Sequence, residues 1–177
     1  AGRGIVHDEV PAVSGKTVHR LQIFVNLAVD QQGTDAFALS LEPQDVPIVQ
    51  LPGAKVRVPL GAFGETRSPL HPPTAVCLLD ISLDEGANLS LPVPTGHSAF
   101  IMPIFGVLEI DGQSFDASEP RLPVFPAQAT SCEISLQSKH GNAKAVVFSG
   151  TPLRQPVFRQ GPLALASTEA LAERMAA

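Results

Sequence analysis

Apolar and polar residues alternate along most of this chain with a period of two, the pattern of strands that bury one face. In residues 19–27 Leu21, Ile23, Val25 and Leu27 share a face, which predicts a half-buried strand. Residues 55–60 set Val56, Val58 and Leu60 against Lys55 and Arg57. Residues 75–83 form a longer β run closed by the turn Asp84-Glu85-Gly86. Residues 99–110 read as one apolar strand running into Asp111-Gly112, a strong two-residue hairpin signal. Residues 131–136 and 143–148 flank Lys139-His140-Gly141-Asn142, which predicts a second hairpin. Helical spacing occurs only at the end, where Leu171, Ala172 and Met175 make an apolar stripe. There Thr168 is the expected cap, and Glu169 lies in the first turn. No segment repeats at a fixed period.

The punctuation between these runs sharpens the fold. Seventeen Pro and 14 Gly are spread along the 177 residues rather than clustered. Short apolar runs separated by turn residues point to an all-β sandwich or barrel with a short C-terminal helix. From Leu83 onward, strands alternate with glycine turns in the rhythm of a cupin-type double-stranded β-helix. An immunoglobulin-like sandwich would share that spacing, but the chain has no Trp for the Cys-Trp-Cys signature.

Composition removes several function classes. Hydrophobic residues are 44% of the chain, enough for a sizeable core. The net charge of −5 and the lack of a basic run argue against general binding to nucleic acid. No apolar stretch reaches the roughly 18 residues of a membrane span, and no secretory leader opens the chain. Cys77 and Cys132, far apart in sequence, read as reduced core residues of a cytosolic protein. The first residue is Ala, which suggests a processed product or a piece of a longer chain.

The candidate chemistry lies in the first eleven residues, AGRGIVHDEVP. In an extended segment His7 and Glu9 project to the same side, about 6.5–7 Å apart along the backbone. Imidazole plus carboxylate suits Fe(II), Mn(II) or Zn(II). The competing reading is a solvated turn before Pro11. Arg3, between two glycines, either orients a ligand or fixes the loop through backbone carbonyls. The other histidines read as structural or surface residues: His19 at a strand start, His71 in a proline loop, and His97 and His140 at turns. Gly-Arg-Gly at 2–4 and GAFGE at 61–65 fit no phosphate or dinucleotide fingerprint, and no nucleophile elbow is present. Cys77 sits mid-strand with no His motif beside it.

Four segments, taken together and in order, resemble the pirin family. They are AGRGIVHDEVP (1–11), HRLQIFVNL (19–27), LPVPTGHSAFIMPIFGVLEIDG (91–112) and SGTPLRQPVFRQGPLAL (149–165). The resemblance implies a two-cupin protein whose metal, iron, sits in the N-terminal cupin. Two of its ligands come from an upstream His-Pro-His-Arg-Gly type motif absent here, and the other two match His7 and Glu9. It implies either a quercetin 2,3-dioxygenase acting on a flavonol-like small molecule, with Glu9 also a candidate catalytic base, or a non-catalytic metal-binding regulator of a protein partner. It places the protein in the cytoplasm, or in the nucleus of a eukaryote. On this reading residues 1–50 are a remnant of the N-terminal cupin and residues 51–177 are the C-terminal cupin with its helix. Roughly a hundred residues would precede Ala1, about one missing domain. The full-length protein is then expected to hold Fe(II) or another first-row divalent metal, and the chain alone to be inactive, with or without metal, and to associate with the missing half through uncovered strand edges. Asp8 between the ligands and Gln160 before Gly161-Pro162 depart from the family pattern.

Overall fold

The computed structural model describes Val10, Gly15, residues 20–161 and residues 163–176. The chain divides into two compact units, Leu39–Pro152 and, drawn from both ends, Ala1–Ala38 with Leu153–Ala177.

The larger unit is built from strands β1 (Ile48–Leu51), β2 (Ala54–Leu60), β3 (Ala62–Phe63), β4 (Thr66–Arg67), β5 (Val76–Leu83), β6 (Asn88–Val93), β7 (Ser98–Phe105), β8 (Val107–Ile110), β9 (Gln113–Asp116), β10 (Val124–Phe125), β11 (Cys132–Gln137) and β12 (Ala143–Gly150). One sheet has the order β1-β2-β5-β12-β7-β10, the other β6-β11-β8-β9, and every pairing is antiparallel. The alternation read from sequence fixes which face is inside. Val56, Val58, Ile81 and Ile101 of the first sheet meet Leu91, Leu108, Ile134 and Leu136 of the second in one aliphatic core. Burying each such side chain stabilises the fold by about 1.5–3 kcal/mol. This is the all-β double-sheet architecture expected.

Two strand assignments change. The apolar run 99–110 is broken at Gly106 into β7 and β8, which belong to different sheets. Gly106 has φ 71°, and a Cβ there would lie 2.4 Å from the carbonyl oxygen of Asn142. The chain turns the corner between the sheets at the one residue that can take that conformation so close to another backbone. Second, residues 139–142 do not close a hairpin. β11 uses its edges to pair with β6 and β8, whereas β12 lies between β5 and β7 in the other sheet. Ser138, fully buried, anchors the crossing: its N–H donates to Ala87 O, and its carbonyl accepts from Gly86 N. A hydrophobic run and a polar turn specify a reversal, but not which strand fills each edge.

The Asp111-Gly112 turn does close the β8–β9 hairpin, with φ 46° and 77°. Asp111 also exchanges hydrogen bonds with β11: its Oδ1 accepts from Ser135 N at 2.8 Å, and its N–H donates to Ser135 O at 3.0 Å.

In the smaller unit, β13 (Phe158–Gln160) and β14 (Leu163–Leu165) form a hairpin, followed by α1 (Thr168–Ala176), which buries Leu171. The cap is Ser167, whose Oγ accepts from Ala170 N at 3.1 Å, rather than Thr168. Thr168 is already helical, one residue too late to cap. The strand expected over 19–27 is not one: residues 20–28 have irregular backbone, with Leu21, Phe24 and Val25 about half exposed. Alternation supplies a face, but a strand also needs a ladder for its N–H and C=O groups; here Leu27 O is taken by side-chain amides instead.

Candidate functional site

His7 and Glu9, the expected metal ligands, lie outside the described residues, as do Arg3, Asp8 and His19. Among the described residues no group of three or more His, Cys, Asp or Glu is placed to hold a metal ion. The buried apolar core of Leu39–Pro152 is Val, Ile, Leu and Ala, with Phe63, Phe115, Phe125, Cys77 and Cys132 packed against it.

The described histidines lie apart from one another in kind. His71 and His140 are exposed. His97, expected at the surface, is half-buried: it follows Gly96 (φ 76°), donates its N–H to Pro94 O at 3.1 Å, and encloses its Nδ1. Cys77 lies on β5, its Sγ 3.4 Å from Ala62 O. Burial, the largest influence on it, pushes its thiol up from the ordinary value. That environment holds the neutral thiol, not a nucleophilic thiolate. Both cysteines are free thiols.

Two arrangements escape sequence reasoning. On the outer face of the six-stranded sheet, Asp80 of β5 sits 3.1 Å from Lys144 Nζ and 3.7 Å from Arg57 Nη1. The register pairs Arg57 directly with Asp80. An aspartate within the apolar run VCLLDISL was the available signal. Two cations facing one carboxylate neutralise it, so the cluster is an ion-pair network on the sheet. The second arrangement joins the two ends of the chain in the smaller unit. Gln155 Nε2 donates to Leu27 O, which also accepts from Gln32 Nε2 at 3.1 Å. Asn26 Nδ2 donates to Pro156 O at 3.3 Å, and the Arg159 guanidinium lies 4.9 Å from the Phe24 ring centroid. Partners some 130 residues apart leave no periodic signal.

Residues 78–177 match the model of the pirin C-terminal cupin domain. The chain belongs to the pirin family. Rat pirin is 30% identical over 175 residues and human pirin 29% over 174, each alignment covering 98% of this chain and 59% of the relative. A Pseudomonas aeruginosa protein named "putative quercetin 2,3-dioxygenase" is 28% identical over 182 residues, covering 99% of this chain and 62% of that one. This pirin-family chain thus spans about three-fifths of the length of these curated relatives. A crystal structure of quercetin 2,3-dioxygenase from Acinetobacter baumannii superposes with a TM-score of 0.76 at 21% identity, covering 86% of this chain and 52% of that one. It shares the fold, and the family model over residues 78–177 makes that a cupin fold. No helix among the described residues is long and apolar enough to cross a membrane.

Proposed function

We propose that this chain is the C-terminal part of a pirin-family metal-dependent dioxygenase acting on flavonol-like substrates, with His7 and Glu9 as two of its metal ligands. The observation that carries this reading is the His-x-Glu pair standing where the family resemblance puts ligands, in a chain whose residues 78–177 match the family's C-terminal domain. The name of the Pseudomonas relative supports the substrate class. On this proposal residues 1–50 belong to the N-terminal cupin, residues 51–177 form the C-terminal one, and the remaining ligands come from chain upstream of Ala1.

One imidazole nitrogen and one carboxylate oxygen fit a first-row divalent ion, Fe(II) foremost. Such an ion, when bound, brings O₂ and a chelating hydroxy-ketone within reach of each other. His7 would supply a neutral nitrogen donor. Glu9 would either hold the ion or accept the proton of the substrate hydroxyl, since a carboxylate beside a metal can do either. The compartment that fits two free thiols is a reducing one, the cytoplasm.

The test is Glu9→Gln in the full-length protein, read by elemental analysis and by O₂ consumption with quercetin. Full metal content with at least about a hundredfold loss of rate assigns the base role. Loss of metal assigns the ligand role. Unchanged metal and unchanged rate would remove Glu9 from the site.

A further inference from the structure

Residues 153–160 reach residues 24–28 through side chains rather than through a sheet. Three contacts, made by different chemistry, converge there: the Gln155 amide on Leu27 O, the Asn26 amide on Pro156 O, and the Arg159 guanidinium over Phe24. Residues 20–28 are irregular, and Gln155 and Pro156 precede β13, so the two amide crossings join segments outside any ladder, while Arg159 reaches Phe24 from within β13. Leu27 O receives two amide donors, from Gln155 and Gln32, which uses both of its lone pairs.

An independent observation marks where this segment begins. Arg154 has φ 52°, and among the described residues only Asp111 is another non-glycine with positive φ. A side chain with a Cβ rarely takes that conformation, and it persists where the surroundings over-determine it. The strained residue immediately precedes Gln155. Pro156 follows, and its ring disfavours the helical region for Gln155. The backbone is thus set on both sides of the amide that reaches Leu27.

We propose that residues 153–160 are a clasp that fixes residues 24–28, with Gln155 as its latch and Asn26 as the reciprocal contact. The clasp ties the C-terminal end of the chain to the segment leading out of the His7/Glu9 motif. Only this last consequence rests on the metal reading; the clasp itself stands on the contacts. Residues 24–28 are thus positioned by the distant end of the chain.

Limited trypsin digestion of the full-length protein tests this, with cleavage followed by mass spectrometry. Arg20–Leu21 and Arg154–Gln155 bracket the clasp, and Arg57–Val58 and Lys144–Ala145 lie on strands of the larger unit as internal references. Gln155→Met keeps the length of the side chain and removes its donor. Asn26→Asp replaces a donor with an acceptor facing a carbonyl. In both variants, cleavage at Arg20 and Arg154 should rise about tenfold against the two references, because proteolysis follows the population of the open form. Unchanged ratios overturn the clasp. So does a wild-type protein already cut at Arg154 as fast as the denatured chain, or an equal rise at all four bonds. Each variant is compared with the wild type in the same metal state, once as purified and once after a chelator, so any effect of metal on this unit cancels from the comparison. Failure of the clasp is therefore distinguishable from failure of the metal reading.

Discussion

Single residues decide where this chain changes direction. Gly106→Ala places a Cβ against the Asn142 carbonyl in a left-handed conformation, and neither sheet can retreat without losing its register. The left-handed penalty and the backbone clash together should cost at least about 3 kcal/mol, read as a shift of the urea midpoint at constant slope. The matching change Gly112→Ala meets nothing within 4 Å, so it should cost only the left-handed penalty, about 1–2 kcal/mol. Asp111-Gly112 was legible in the sequence because a two-residue turn carries its own chemistry. Gly106 was not, because its requirement comes from a carbonyl 36 positions away. The same division holds at Cys77: its place in a strand could be read, whereas the burial that raises its thiol depends on packing around β5.

At the scale of elements, the helix shows how a pattern can be right and its cap displaced by one residue. Ser167→Ala should destabilise α1 by about 1 kcal/mol, measured from the Cα chemical shifts of residues 168–176, while Thr168→Ala should leave them nearly unchanged. Glu169 adds a pH dependence. Its carboxyl is held below the usual range by the hydrogen bond of its own N–H and then by Ser167. A folded value below the unfolded one gives support that is present above the ordinary carboxylate range and lost as pH falls through the folded value. The same shifts should therefore move toward coil on acidification, and less so in Glu169→Gln. The hairpin expected at 139–142 failed for another reason. The strands on either side were correctly placed, but each had a better partner in a different sheet. Residues 20–27 are irregular instead of a strand, since alternation is a property of one segment and pairing a property of two.

At the scale of the whole molecule, the proposed metal site predicts that the two units respond differently to a chelator. The larger unit is closed by aliphatic packing, so a chelator should leave its thermal transition within about 1 °C of that of untreated full-length protein. Any transition that does move with metal should be assigned to the part carrying His7 and Glu9, and calorimetry with and without chelator checks both. The sequence by itself determined the all-β class, the inward faces of the main strands, the C-terminal helix and the family, because these follow from local periodicity and from the order of short motifs. It also supplied the His-x-Glu pair, a matter of spacing along one segment. Only the tertiary structure decided which strand lies beside which, where Gly106 turns the chain between sheets, how Asp80 is held between Arg57 and Lys144, and that Gln155 reaches Leu27. Those depend on contacts between residues tens to more than a hundred positions apart, and no local pattern encodes a partner at that distance.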